Sequence, residues 1–150
     1  MPRHTRLSAE DRLDIMDLIA RYASTLDAGD LDGYVNNFAP DAVLFAEHHG
    51  RAAIREYVAM LMREGRAGPL PSGDVAYRHF VGSPTIDGEG DRATVHSYLL
   101  WVNMGSEPPV SAAAEYRDEC VKRDGEWFFQ SRVLHRLAGR FPGSEPVRGL

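Results

Sequence analysis

The stretch that decides the fold is EYRDECVKRDGEWFFQSRVLH, residues 115–135. It contains two runs with the period of two that is typical of a β-strand with one buried face. Asp124 and Gly125 lie between the runs, and Asp-Gly in that position is a strong signal of a tight hairpin turn. The stretch therefore predicts two long antiparallel strands that are neighbours in one sheet.

The same alternation begins at Val75, so the second half of the chain is predicted to be a sheet. The predicted strands are 75–86, 92–103, 111–122 and 127–137. Upstream of them, apolar residues recur at helical spacing in three segments. Helices followed by hairpin-linked strands predict an α+β domain, with N-terminal helices packed on a curved, mainly antiparallel sheet. Such a sheet would leave an apolar pocket beside the long first helix.

Capping and breaking residues mark the ends of the predicted helices. Ser8 and Asp11 have the spacing of a capping box, and Gly29 can end the same helix in a left-handed conformation. Asp30 can cap a short second helix, which we expect Pro40 to stop. The remaining predicted elements are a short strand over 43–46, a third helix over 51–64 and an exposed loop over 68–73.

Length and composition restrict the class of protein. The 150 residues suit a single domain over 1–150, with a core over about 8–138 and a mobile tail or flap over 139–150. A net charge of −5 argues against nucleic acid binding, and the longest apolar runs are far shorter than the roughly 20 residues of a membrane span. Cys120 is the single cysteine, which suits a reducing compartment. We therefore expect a cytoplasmic protein that binds neither nucleic acid nor a membrane.

Two strand histidines are the main candidates for chemistry. His79 shares a predicted strand face with Tyr77 and Val81, and His96 lies on a largely apolar face of the next strand. If both faces point inward the imidazoles lie close together, and imidazole can accept or donate a proton near neutral pH. Asp27, at the end of the first helix, could hold an imidazole by a hydrogen bond. Alternatively, each histidine is an ordinary core or surface residue and Asp27 is a turn residue.

Other residues are predicted to bind the substrate or assist the histidines. Tyr22, five residues before Asp27, is a candidate catalytic phenol, with Tyr57 and Tyr116 as alternatives. Asp118 is predicted to point inward, where a carboxylate needs a partner, and Arg132 or a histidine could provide one. No phosphate-binding glycine loop, HExxH or paired CxxC occurs, so we expect neither a cofactor nor a metal. The candidate substrate-binding residues are Phe45, Tyr57, Tyr98, Tyr116, Asp118 and Arg132.

Several motifs together resemble the SnoaL-like branch of the NTF2-like superfamily, over about residues 8–138. They are ARYA (20–23), LDAGD (26–30), FAPDAV (38–43), RHFV (78–81), and EY (115–116) followed by RDGEW (123–127). The resemblance implies a cystatin-like α+β cone, in which a strongly curved sheet encloses a mostly apolar pocket. It also implies a homodimer or homotrimer, because a second subunit usually covers the exposed sheet face in this fold.

Within that superfamily the motifs are most similar to those of scytalone dehydratase-like enzymes. His79, His96 and Asp27 match residues that remove water from a small hydroxylated aromatic ketone without a cofactor. The resemblance therefore implies a lyase, most closely a dehydratase, acting on a small hydrophobic or aromatic hydroxylated compound. Leu26 and Tyr116 depart from the dehydratase pattern, so we expect a different substrate. The alternatives are a ketosteroid isomerase-like isomerase, an aldehyde-releasing retro-aldol lyase, and a non-catalytic ligand-binding or structural subunit.

Overall fold

Three helices pack against one six-stranded sheet in the computed structural model, which describes residues 6–70, 72–74, 77–105 and 107–140. The helices are α1 (Ala9–Ala28), α2 (Leu31–Val35) and α3 (Gly50–Arg63). The strands are β1 (Phe38–Leu44), β2 (His48–His49), β3 (Tyr77–Glu89), β4 (Arg92–Asn103), β5 (Val110–Arg123) and β6 (Glu126–Gly139). Their order in the curved, unclosed sheet is β2-β1-β6-β5-β4-β3, and only the β1–β6 pair is parallel. The predicted α+β class with a mainly antiparallel sheet is confirmed.

The hairpin that joins β5 to β6 has the predicted turn. Asp124 and Gly125 have φ angles of 51° and 82°, and Arg123 pairs with Glu126 across the turn. Positive φ at both central residues is the geometry whose twist matches that of the flanking strands. The turn thus places β5 and β6 in register by local backbone chemistry.

Local interactions also set the ends of α1. The Ser8 hydroxyl accepts a hydrogen bond from the Asp11 N–H at 3.0 Å, and the Asp11 carboxylate accepts one from the Ser8 N–H at 3.3 Å. Gly29 ends the helix with a φ of 72°, a left-handed conformation that favours glycine. Both predicted ends of this helix are confirmed.

The segment after α2 differs from its prediction. Pro40 does not stop α2, which already ends at Val35, but lies within β1. The register of β1 against β6 is irregular between Phe38 and Val43, so a residue without an N–H is tolerated there. The predicted strand over 43–46 begins earlier and ends at Leu44, because the next two residues have positive φ angles.

The loop after α3 is buried at its start, whereas Pro69, Ser72 and Gly73 are exposed as predicted. Ala67 is 3% exposed and Gly68 is also buried. A Cβ at Gly68 would lie 3.3 Å from the Cα of Gly29, so this part of the loop packs closely on the end of α1. Residue 71 of the loop and residues 141–150 of the predicted tail lie outside the described residues.

The outer face of the sheet, away from the helices, carries exposed apolar side chains. Phe80, Tyr98 and Leu100 are 60%, 50% and 45% exposed, respectively. The homodimer or homotrimer stays a prediction. Within the described residues, none of the helices combines the length and apolar character needed to cross a membrane.

Candidate active site

The structure brings Asp27 and His79 into contact although they are 52 residues apart. β3 is an edge strand, so its outer N–H groups have no neighbouring strand, and α1 packs alongside it. Asp27 Oδ2 accepts the backbone N–H of His79 at 2.9 Å, and Oδ1 lies 2.6 Å from Nδ1 of the imidazole. Both side chains are nearly buried, at 11% and 10% exposed. One carboxylate therefore positions both the strand and the ring.

This contact determines which nitrogen of His79 can react. A carboxylate only accepts hydrogen bonds, so Nδ1 carries the proton and Nε2 of the neutral imidazole keeps its lone pair. His79 lines a cavity that Asp27 does not line, and Nε2 is the ring nitrogen that the carboxylate does not engage. Asp27 lies in the last turn of α1, where the interaction of a negative charge with the helix dipole is unfavourable by about 0.3–1 kcal/mol. The bond to His79 gives this unfavourable position a physical reason.

The cavity has a volume of about 220 Å³ and lies between the helices and the inner face of the sheet. That volume is below the roughly 300–1,000 Å³ typical of sites for drug-sized ligands, so it suits a small molecule. Leucine and valine side chains line part of it. Its aromatic lining consists of Tyr22, Tyr34, Phe45, Tyr57, Trp101 and Tyr116.

Three tyrosines form a cluster on the cavity wall. The ring of Tyr22 lies 5.1 Å from that of Tyr34 and 5.7 Å from that of Tyr116, measured between centroids. Burial, together with the neighbouring Tyr22, raises the pKa of Tyr34 and of Tyr116 well above the ordinary value. Burial also raises the pKa of Tyr57. These phenols therefore stay protonated near neutral pH and can donate hydrogen bonds to an oxygen of a bound molecule.

Behind the cluster lies a buried ion pair. Asp118 accepts two hydrogen bonds from Arg132, at 2.8 Å from Nε and 2.7 Å from Nη2, and neither side chain is exposed. Burial opposes the charge of Arg132, but the Asp118 carboxylate outweighs it and raises the pKa of the guanidinium. The guanidinium carbon lies 4.1 Å from the ring centroid of Tyr22 and 3.9 Å from that of Tyr116. The pairing suggested by the sequence is thus present. The expectation that Asp118 and Arg132 contact a substrate is wrong, because neither lines the cavity.

His96 lies on the outer face of the sheet, so the expectation that it shares the cavity with His79 is wrong. Its Nε2 is 2.5 Å from Glu115 Oε2, and the imidazole is 31% exposed. Hydrogen bonding to His96 lowers the pKa of Glu115 below its ordinary value. Tyr98, a predicted substrate-binding residue, packs beside His96 with ring centroids 5.1 Å apart and is on the outer face too.

A β-bulge in β3 is the physical reason for this separation. Near the turn that joins β3 to β4, Thr85 lies opposite His96. If this register continued along β3, His79 would lie opposite Val102 and on the same face as His96. The register shifts by one residue over 82–85, so that His79 lies opposite Trp101 instead. A shift of one residue moves every side chain beyond it to the other face. The bulge therefore turns His79 inward while His96 points outward.

Sequence reasoning found some cavity residues and missed others. Phe45 and Tyr57 line the cavity as predicted, with ring centroids 6.2 Å apart. Trp101 pairs with His79, so the register of β3 and β4 would have identified it. Tyr34 shares the predicted core face of α2 and had no signal that separated it from the core. The other missed lining residues that carry charge are Arg66 and Arg136.

Comparisons with known proteins agree with this architecture. A cystatin-like protein of unknown function from Nostoc punctiforme is 28% identical, with a TM-score of 0.77 over 89% of this chain and 96% of that chain. A Novosphingobium aromaticivorans protein named as a candidate scytalone dehydratase is 21% identical, with a TM-score of 0.73 over 94% and 95%. A candidate aromatic ring hydroxylase from the same organism is 23% identical, with a TM-score of 0.68 over 89% and 96%. The last two likenesses concern the fold alone.

The search of curated proteins finds no match to this chain. The family model of the SnoaL-like domain matches residues 7–133, which is most of the chain. The matched segment contains α1, which carries Asp27, and β3, which carries His79. The chain belongs to the SnoaL-like domain family.

Proposed function

We propose that this protein is a cofactor-independent lyase, most closely a dehydratase, acting on a small hydroxylated carbonyl compound with an apolar or aromatic body. The observation that carries the proposal is the contact between Asp27 and His79 at the wall of a mostly apolar cavity that opens to solvent on one side. A base at the end of such a cavity, with protonated phenols nearby, is suited to remove a proton next to a carbonyl group. The fold of a candidate scytalone dehydratase is consistent with this chemistry.

The elimination is written with these groups as follows. Nε2 of His79 takes a proton from the carbon next to the carbonyl, and the electron pair of that C–H bond moves toward the carbonyl oxygen. Hydroxyl groups of the tyrosine cluster donate hydrogen bonds to this oxygen as it gains negative charge. The C–O bond on the next carbon then breaks, the departing hydroxide takes the proton from Nε2, and a carbon–carbon double bond and water are formed. Asp27 stabilises the imidazolium while it carries both protons.

Each group has a rough expected contribution. A positioned acid–base group accelerates a reaction by about 10²–10⁴-fold, and one donor to a developing oxyanion by about 10²–10³-fold. The guanidinium of Arg132 lies behind Tyr22 and Tyr116 and favours negative charge in front of them. Its contribution acts through the tyrosines, because Arg132 does not line the cavity.

The first experiment measures proton abstraction by itself. A panel of small β-hydroxy ketones in D₂O is followed by NMR, which reports exchange of the α-proton, and by mass spectrometry, which reports loss of water. We expect His79→Gln and Asp27→Asn to slow both reactions at least about 100-fold. Circular dichroism establishes that each variant is folded.

The matched control is His96→Gln, which removes the other histidine–carboxylate pair on the outer face. It should leave both rates unchanged. Near-normal exchange and elimination in the His79 and Asp27 variants would contradict the mechanism. Exchange without loss of water would favour the isomerase alternative, release of an aldehyde would favour the retro-aldol alternative, and ligand binding without either reaction would favour a binding protein.

A further inference from the structure

The charged residues that line the cavity have one sign. Arg66 and Arg136 both line it, and among the described residues no aspartate or glutamate does. The chain as a whole is acidic, with a net charge of −5. A positive lining in an acidic protein is therefore a local feature of this cavity and needs its own explanation.

The two arginines lie at the solvent side of the cavity. Arg136 is exposed and follows Leu134 on the inner face of β6. Arg66 follows α3, and its side chain is 30% exposed. At the other extreme, Tyr34 and Tyr116 are 1% and 2% exposed. The cavity therefore has a cationic rim, formed by Arg66 and Arg136, and an aromatic floor that includes Tyr34 and Tyr116.

Among the described residues, the aspartates and glutamates near the cavity lie outside its lining. Asp27 is bonded to His79, and Asp118 is bonded to the buried Arg132. Glu64 accepts a hydrogen bond from Arg66 at 2.9 Å, but its side chain is 50% exposed and it does not line the cavity. Such an exposed ion pair contributes little and competes weakly with a ligand.

We propose that the ligand of this cavity is a small carboxylate, whose anionic group binds Arg66 and Arg136 at the rim and whose apolar body extends toward the tyrosines. Guanidinium groups bind carboxylates through charge-assisted hydrogen bonds, which are stronger than those to a neutral amide. The cavity volume of about 220 Å³ limits the body to a small group such as one aromatic ring. This inference rests on the proposed function for the substrate class, but binding can be measured without turnover.

The test compares two probes of nearly equal size, 3-phenylpropanoate and 3-phenylpropanamide, by isothermal titration calorimetry. Neither probe carries a hydroxyl group that could leave. We expect the wild-type protein to bind the carboxylate at least about tenfold more tightly than the amide. Arg66→Gln and Arg136→Gln should each remove most of that preference and leave amide binding unchanged. Arg63→Gln, an exposed change in the last turn of α3 with the same loss of charge, is the control and should change neither affinity.

Salt provides a second measurement on the unmodified protein. Raising the ionic strength from about 0.1 M to about 1 M shortens the Debye length from about 10 Å to about 3 Å, so carboxylate binding should weaken and amide binding should not. Equal affinities for the two probes, an unchanged carboxylate affinity in both arginine variants, or no carboxylate binding at millimolar concentration would each overturn the proposal. A retained carboxylate preference without dehydration would contradict only the proposed function, and dehydration of neutral compounds without that preference would contradict only this inference.

Discussion

Replacing Asp118 by asparagine removes one charge from the ion pair behind the tyrosine cluster and keeps the shape of the side chain. Asp118 and Arg132 are both fully buried and are joined by two hydrogen bonds. Nη1 of Arg132 has no hydrogen-bond partner within the described residues, so besides Asp118 the guanidinium is stabilised by the faces of the Tyr22, Tyr116 and Phe129 rings, which carry no charge. Removing one partner of a buried pair leaves an uncompensated charge and costs about 3–5 kcal/mol.

That loss is large for a protein of this size. Small domains unfold with a free energy of about 5–15 kcal/mol, so the variant should lose at least about a fifth of the stability of a typical domain. Because each kcal/mol corresponds to roughly 2–4 °C for a chain of this length, we expect Tm to fall by roughly 6–20 °C. Urea unfolding followed by tryptophan fluorescence, and thermal unfolding followed by circular dichroism, measure the two quantities.

Two further variants make this prediction specific. Asp41→Asn removes an ion pair with Arg123 in which both side chains are largely exposed, and it should change stability little. The double variant Asp118→Leu, Arg132→Met removes both buried charges and should recover most of the stability that Asp118→Asn loses. The reasoning about this pair is refuted if the free energy of unfolding of Asp118→Asn is within about 1 kcal/mol of the wild-type value. It is also refuted if the double variant is no more stable than Asp118→Asn.

Two other predictions concern α1. Hydrogen bonds from Lys122 and then Trp127 hold the pKa of Asp11 well below its ordinary value of 3.8. Because the pKa of Asp11 is lower in the folded state, the carboxylate stabilises the protein above about pH 4, and this stabilisation is lost as the pH falls further. Asp11→Asn should therefore lower the free energy of unfolding at neutral pH and make that free energy fall less steeply below about pH 4. Urea unfolding at a series of pH values measures both effects. Gly29→Ala places a Cβ at a φ of 72°, 2.9 Å from Pro69 Cδ, and should cost about 1–2 kcal/mol in the same assay; unchanged stability would contradict it.

The elements that the sequence predicted well depend on interactions between residues that are close together in the chain. The capping box of Ser8 and Asp11 spans four residues, and the turn at Asp124 and Gly125 requires two residues that tolerate positive φ. In each case one local backbone conformation satisfies the steric and hydrogen-bonding requirements, and distant parts of the fold rarely change it. The contact between Asp27 and His79 was suggested mainly by the resemblance of their motifs, since no local rule relates residues 52 positions apart.

The error over His96 shows where periodicity stops being informative. Alternation with a period of two orders the faces within one uninterrupted strand, and the sequence contained a warning in Gly82, Ser83 and Pro84. Ser83 has a φ of 51° and lies in the shifted part of the β3–β4 register. A proline within a strand indicates an edge strand or a β-bulge. Its presence does not show whether the pairing with the next strand shifts by one residue.

The sequence by itself determined the fold class, both ends of α1 and the β5–β6 turn, because each depends on local geometry. It also required a partner for a buried Asp118, without deciding between Arg132 and a histidine. Only the tertiary structure decided which histidine faces the cavity, that Tyr34 and Trp101 line it, and that its charged rim is cationic. These outcomes depend on the register between distant strands and on the packing of helices over them. One extra residue in a strand reverses the faces beyond it, and the periodicity of the sequence on either side of that residue stays the same.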